Sequence, residues 1–129
     1  MRYRIVNKTK NIILASQAKI ADSFFKRLIG LMFKKGLSKE EALVFFKAPS
    51  IHTFFMRFPI DILFLDREGK VLRIVKKVNP YRVVFCKNSY ITIEFSSKNN
   101  NLAQTSKGDF IIIENMVKYS SYEGRIFLK

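Results

Sequence analysis

Cysteine is nearly absent from this sequence, in which Cys86 stands alone among 129 residues. A single cysteine excludes an intramolecular disulfide and a zinc site built from a cysteine cluster. Cys86 lies in the strand-like segment RVVFCKN, and we interpret it as a small buried apolar residue rather than a nucleophile. A Cys–His pair would need the only histidine, His52, to lie nearby in space.

Long uncharged stretches are missing as well. The longest one in the central apolar region is the nine residues Ala48–Met56, which is too short to cross a bilayer. The apolar run behind the basic N-terminus covers only Ile12–Ala15, whereas a signal peptide needs a longer one. The sequence therefore predicts a soluble, cytoplasmic protein with no membrane partner. As a separate expectation, we predict a monomer.

Acidic residues are few: 10 Asp and Glu stand against 24 Lys and Arg, for a net charge of +14. The basic residues are spread along the chain in short clusters, so there is no basic tail. A surface of this charge attracts nucleic acid non-specifically. The alternative is that the charge only keeps the protein soluble, and both interpretations stay open at this point.

Apolar and aromatic residues, by contrast, are plentiful, at 48% and 14% of the chain. That is enough to build a core, so disorder is excluded. No repeat, low-complexity segment or linker divides the sequence, and we predict one domain over residues 1–129. Helical spacing of apolar residues after Asp22 predicts one short helix near residues 22–33.

The rest of the chain has the pattern of short strands. Two of them, Tyr3–Val6 and Ile12–Ala18, flank the turn NKTKN. The segments IDILFLD and KVLRIVKKV predict a hairpin whose turn places Gly69 in the left-handed region. IHTFFM has bulky residues at consecutive positions, which is typical of a strand buried on both faces. Further strands are predicted at ALVFF, RVVF, YITIEF, DFIIIE and RIFL.

Two segments carry a family resemblance. ADSFFKRLIGLMFKKGL covers residues 21–37, and IHTFFMRFPIDILFLDREGKVLRIVKKVNPYR covers residues 51–82. With two later motifs they resemble DUF192, a bacterial and archaeal family of unknown function. The matching positions are Ala21-Asp22, Gly30-Leu31-Met32, Phe55-Met56, Phe58-Pro59-Ile60-Asp61, Asp66, Gly69, Pro80, Ile93-Glu94-Phe95 and Gly108-Asp109.

The resemblance runs from about Ala15 onward and implies a small β-rich fold of jelly-roll-like topology with a short helix; it implies no established activity. The sequence departs from the family pattern in three places. Phe55 replaces the usual tryptophan before Met56, Ile93-Glu94-Phe95 replaces Leu-Glu-Leu, and only Gly108 of the late glycine pair is present. The predicted fold class is thus mainly β, a sandwich or barrel, with one short α-helix.

The segment IHTFFMRFPID, residues 51–61, is the best candidate for a site. Histidine side chains change charge near neutral pH, and Asp61 and Glu94 are carboxylates inside apolar strands, where they are costly unless paired. We predict that His52, Asp61 and Glu94 lie at the mouth of one aromatic pocket, with an arginine binding an anionic group. The residues predicted to bind ligand are His52, Phe55, Met56, Arg57, Asp61, Arg82 and Glu94.

The structural alternative is that Asp61 and Glu94 accept hydrogen bonds from backbone turns or pair with Arg57, and that His52 is a core residue. One histidine and two carboxylates make a thin ligand set for a metal ion, so we predict neither a metal nor a cofactor.

The sequence is compatible with three functions. We favour a module that binds a small molecule in the pocket around His52–Asp61. The second is a nucleic-acid-binding protein that uses its basic surface, with Tyr81 or Phe58 stacking on bases. The third is an acid–base enzyme built on His52, Asp61 and Glu94. The sequence has no phosphate-binding glycine loop, nucleophile elbow or His-x-x-x-His motif, so no motif identifies an enzyme class.

Overall fold

Strands make up most of the computed structural model, which describes residues 2–21, 36–53, 57–99 and 101–116, and the backbone of 124–126. The predicted helix near residues 22–33 lies outside the described residues. The described elements are β1 (Tyr3–Asn7), β2 (Ile12–Ala21), β3 (Glu41–Phe46), β4 (Ser50–His52), β5 (Ile60–Leu65), β6 (Val71–Val78), β7 (Val83–Phe85), β8 (Ile91–Ser96), the 3-10 helix Asn101–Gln104, β9 (Ile111–Asn115) and β10 (Gly124–Ile126).

Eight of these strands form one sheet in the order β10-β9-β1-β2-β3-β8-β5-β6. The pairs are antiparallel except for β2 and β3, which run parallel. The sheet curls into a half-barrel, and the mainly β prediction is confirmed.

The β5–β6 hairpin forms because its turn satisfies its own backbone. The Asp66 carboxylate accepts hydrogen bonds from the backbone N–H groups of Glu68 and Lys70, both at 2.9 Å. Gly69 has a φ of 91°, a conformation that side-chain-bearing residues rarely adopt. The predicted hairpin and the predicted role of Gly69 are both confirmed.

The central strands β5 and β8 are buried on both faces of the sheet. Odd-numbered residues such as Leu63 and Ile93 belong to one apolar cluster, which we call the first core. Even-numbered residues such as Ile62 belong to another cluster with Phe45 and Ile51, which we call the second core. Because successive side chains of a strand alternate between the faces, residue number determines which core a side chain enters.

A separate two-stranded sheet, the β4–β7 ribbon, packs against the second core. Ile51 pairs with Val84 across the ribbon, and both side chains contribute to that core. The flanking residue His52 is exposed, because it alternates with Ile51 along β4. The expectation of a strand buried on both faces is therefore wrong at His52, and so is the alternative that His52 is a core residue.

Within the part of the chain that is described, no helix has the length and apolar character that a bilayer crossing requires.

Candidate functional site

The outward face of the β4–β7 ribbon carries large apolar side chains in water. His52 lies opposite Val83 in the ribbon, and both are exposed. Val83 is 64% exposed, Phe85 is 57% exposed and the preceding Tyr81 is 62% exposed. We call His52, Tyr81, Val83 and Phe85 the ribbon patch. Contiguous exposed apolar side chains rimmed by polar residues are typical of binding surfaces.

The position of Tyr81 is set by the fully buried Thr53. The Thr53 hydroxyl donates to the carbonyl of Asn79 at 2.7 Å and accepts from the backbone N–H of Arg82 at 2.8 Å. The backbone of Thr53 also accepts from the Tyr81 N–H at 3.0 Å. These bonds hold Tyr81 at a φ of 65°, which is uncommon for a residue with a side chain. Sequence reasoning missed this role of Thr53.

The chain around the ribbon patch is strongly basic. Residues 69–93, which supply β6 and β7, contain six Lys and Arg and no Asp or Glu. Arg73 on β6 donates a hydrogen bond to the carbonyl of Phe85 at 2.7 Å, which brings its guanidinium to the end of the patch. Arg73 therefore brings one positive charge to the end of the ribbon patch. The six basic residues, all exposed, are Lys70, Arg73, Lys76, Lys77, Arg82 and Lys87.

Asp61 has a structural partner inside the sheet. Its carboxylate accepts a hydrogen bond from the backbone N–H of Lys77 at 2.8 Å. Lys77 has a φ of 52° and lies where the β5–β6 register shifts between Ile60 and Ile62. Asp61 therefore pairs the N–H that this irregularity releases from the ladder. The structural alternative predicted a backbone hydrogen bond from a turn, and the donor is instead in a strand.

Burial is the dominant influence on the Asp61 carboxyl, which is 3% exposed. Burial raises its pKa above the ordinary value, and the Lys77 backbone hydrogen bond and the charges of Lys76 and Lys77 oppose the rise. The folded protein thus holds the Asp61 proton more tightly than the unfolded chain does.

Glu94 points to the opposite face of the sheet from Asp61. On the paired strands β5 and β8, Asp61 lies opposite Phe95, while Glu94 lies opposite Ile62. Residues directly opposite each other share a face, so Asp61 faces the first core and Glu94 the second. Glu94 is buried there in a polar row with Thr92 and Ser96.

The predicted pocket mouth is therefore not assembled as expected. His52 lies outward on the ribbon, Asp61 is turned to the far face of the sheet, and Glu94 is buried between β3 and β5. The register of β5 and β8 separates the two carboxylates. Arg57 and Arg82 are exposed, while Phe55 and Met56 lie outside the described residues. Ligand binding by any of these residues stays a prediction.

An open groove of about 610 Å³ lies beside the β5–β6 turn. The Arg67 guanidinium lies 4.2 Å from the centre of the Tyr90 ring, in the geometry of a cation–π contact. Phe110 also lines the groove and is 46% exposed. We call this the turn groove; its lining residues are Asp66, Arg67, Glu68, Lys70, Asn88, Ser89, Tyr90 and Phe110.

A polar network that sequence reasoning missed surrounds Asp109. Its carboxylate accepts hydrogen bonds at 2.9 Å from the Asn7 amide, the Ser106 backbone and the Lys10 ammonium. Burial alone would raise the pKa of Asp109, but these bonds and the Lys10 charge together lower it. The sequence indicated only the turn at Gly108, which has a φ of 95°. Two of the partners of Asp109, Asn7 and Lys10, lie about a hundred residues away in the chain, so no local signal could identify them.

Among the described residues, no three His, Cys, Asp or Glu side chains come close enough together to hold a metal ion. Two of the described carboxylates form ion pairs instead, in the pairs Arg4–Glu114 and Lys10–Asp109.

Two curated relatives carry the name UPF0127 protein. The chain is 44% identical over 85 residues to a UPF0127 protein of Pyrococcus horikoshii, spanning 61% of this chain and 70% of that protein. It is 40% identical over 84 residues to a UPF0127 protein of Thermococcus sibiricus, spanning 60% of this chain and 53% of that protein.

Solved structures share the fold. A candidate transcription regulator of Sinorhizobium meliloti 1021 superposes with a TM-score of 0.72 at 18% identity, covering 85% of this chain and 90% of that one. A protein of unknown function from Novosphingobium aromaticivorans gives 0.69 at 19% identity, covering 84% and 81%. At such identities the likeness extends to the fold alone. The model of the DUF192 family, described as an uncharacterised group, matches residues 5–112, and the chain therefore belongs to the DUF192 family.

Proposed function

We propose that this domain is a binding module whose ligand is single-stranded nucleic acid, and that the ligand contacts the ribbon patch. The observation that carries the proposal is the exposure of Tyr81, Val83 and Phe85, each more than half exposed. They lie in the stretch from Gly69 to Ile93, whose charged residues are all basic, and Arg73 reaches the end of the patch. Aromatic side chains stack on bases while cations track the phosphates, and this combination binds single strands without a sequence motif.

The geometry favours this ligand over a small molecule in a pocket around His52 and Asp61. A small-molecule site is concave and buries most of its ligand, whereas the ribbon patch is an open strand face. Asp61 points away from that face, so the pocket loses one of its two named polar groups. Of the two stacking residues considered from the sequence, Tyr81 is exposed, whereas Phe58 packs against the second core.

The acid–base enzyme is the least supported function. Paired titratable groups must lie within a few ångströms to act together, and Asp61 and Glu94 enter different cores. Exposed His52 lies opposite Val83 in the separate β4–β7 ribbon.

The test is fluorescence anisotropy with a labelled twelve-residue oligothymidine and the matching oligouridine, measured on the full chain. The variants Tyr81→Ala and Phe85→Ala leave the net charge unchanged, so they separate stacking from general attraction. Losing one stacked base typically costs about 1–3 kcal/mol, which is about 5- to 150-fold in affinity. Ile13→Ala is the matched control, because Ile13 is also a large exposed apolar residue, at 45%, but lies on β2.

The single histidine gives a second readout. The His52 imidazole signals in the NMR spectrum should shift on addition of the oligonucleotide, without ambiguity of assignment, because no other histidine exists. Equal affinities for wild type, both aromatic variants and a duplex of the same sequence would mean charge attraction alone, and the proposal would then be wrong. Self-association abolished by Phe85→Ala, without oligonucleotide binding, would instead assign the patch to a second copy.

A further inference from the structure

We infer that a bound single strand runs on from the ribbon patch into the turn groove, where Phe110 and Arg67 provide its second set of base contacts. The inference rests on the proposed function and adds a second contact region, so that affinity depends on the length of the strand.

The turn groove has the chemistry for this ligand. Arg67 is held against the Tyr90 ring, and bases stack on guanidinium planes as well as on aromatic rings. Phe110 offers an exposed ring in the same groove. The Asp66 carboxylate accepts hydrogen bonds from the backbone of its own turn. Glu68 is then the other carboxylate that lines the groove, and it is exposed to solvent.

The ribbon patch and the turn groove are joined by a short stretch of chain. Phe85 ends β7, and Asn88–Tyr90 line the groove. Four residues lie between Phe85 and Tyr90, so the two Cα atoms are at most about 18 Å apart. Arg73 donates to the Phe85 carbonyl at this junction. The half-buried Cys86 lies there too; burial raises the pKa of its thiol, and the nearby charges of Arg73 and Lys107 oppose that rise.

Those cations make the junction a continuation of the basic surface. Arg73, Lys87 and Lys107 are exposed, and the chain from Gly69 to Ile93 has no acidic residue. An anionic backbone that leaves the ribbon patch therefore meets positive charge on its way to the groove, and phosphate contacts of this kind position a strand without reading its sequence.

Phe110 can be truncated without disturbing the fold around it. Its backbone is fixed by its N–H bond to the Thr9 hydroxyl at 2.9 Å and by its carbonyl, which accepts from the Lys8 N–H at 2.8 Å. Neither bond uses the ring. Phe110→Ala also preserves the net charge, and Arg67→Gln keeps a polar side chain while removing one cation.

The experiment compares short and long oligothymidines, of three and ten residues, on the full chain by fluorescence anisotropy. We expect Tyr81→Ala to weaken both lengths. Phe110→Ala and Arg67→Gln should weaken the ten-residue strand by about 5- to 150-fold and change the three-residue strand by less than twofold. The ten-residue strand should also slow alkylation of Cys86, the only thiol, whereas the short strand should not. Oligouridines tested in parallel distinguish RNA from DNA.

The failure of this inference differs from the failure of the proposed function. If Tyr81→Ala weakens both lengths while the groove variants weaken neither, the ribbon binds and the groove does not. If the groove variants weaken the two lengths equally, the groove is the primary site and the order along the strand is wrong. If none of the three variants changes either affinity, the proposed function and the inference both fail.

Discussion

Asp61 offers the sharpest test of how this sheet tolerates a buried charge. The comparison uses Asp61→Asn, which keeps an oxygen able to accept the Lys77 N–H, and Asp61→Ala, which removes it. A buried donor left without a partner costs about 1–3 kcal/mol. The free energy of unfolding of the alanine variant should therefore be about 1–3 kcal/mol lower than that of the asparagine variant. The chain has no tryptophan, so the assay is urea unfolding followed by far-UV circular dichroism.

The charge itself should not stabilise the fold. Burial is the largest influence on this carboxyl and raises its pKa, while the opposing charges of Lys76 and Lys77 belong to exposed side chains, where ion pairs contribute about 0–1 kcal/mol. At pH 7 we therefore expect Asp61→Asn to be as stable as the wild type or up to about 1 kcal/mol more stable.

The pH dependence follows from the sign of the shift. A carboxyl whose pKa is raised in the folded state contributes stability below its unfolded pKa, about 3.9, and that contribution is lost as the pH rises through the folded pKa. The free energy of unfolding of the wild type should thus fall relative to that of Asp61→Asn as the pH rises above about 4. A difference that instead grows in favour of the wild type with rising pH would refute the dominance of burial.

Two further predictions concern the polar contacts that shape the surface. Thr53→Val removes the hydroxyl that hydrogen-bonds the backbone of Asn79 and Arg82, and it should lower the free energy of unfolding by about 1–3 kcal/mol. Thr53→Ser, the matched control, keeps the hydroxyl and should lower the free energy of unfolding by less. Equal losses for the two variants in urea unfolding would contradict the role of the hydroxyl. Asp109 has a lowered pKa, so its stability contribution is present above about pH 3.9 and lost as the pH falls through the folded value. The wild type should therefore lose stability below about pH 4 relative to Asp109→Asn, and parallel acid-unfolding curves would refute this.

Local signals in the sequence predicted the hairpins. The segment from Asp66 to Gly69 combines turn chemistry with two β-rich flanks, and the structure places the turn there. Such features depend on residues a few positions apart, and the chemistry of glycine and aspartate restricts their conformations. The same holds for the turn at Gly108.

The arrangement of the candidate site could not be predicted in this way. Whether Asp61 and Glu94 share a face depends on the register of β5 against β8, strands about thirty residues apart, and a shift of one residue reverses the answer. No local signal indicated that Thr53 would fix the turn at Tyr81. The contact joins Thr53, in one predicted strand, to the loop that follows the β5–β6 hairpin.

The motif aspartates and the ribbon patch therefore have different roles: the aspartates stabilise the fold, and we expect the patch to contact the ligand. Asp61 pairs a backbone N–H at an irregularity of the sheet, and Asp66 closes a hairpin. Asp109 links its own turn to Asn7 and Lys10 near the start of the chain. The side chains at these motif positions form structural hydrogen bonds. This explains why the family resemblance predicts the fold but does not predict a reaction. The side chains of Tyr81, Val83 and Phe85 are each more than half exposed, so burial in a core does not account for these three large apolar residues. We expect ligand preference to depend on them, and exchanging these three side chains should change binding while leaving the unfolding free energy within about 0.5 kcal/mol.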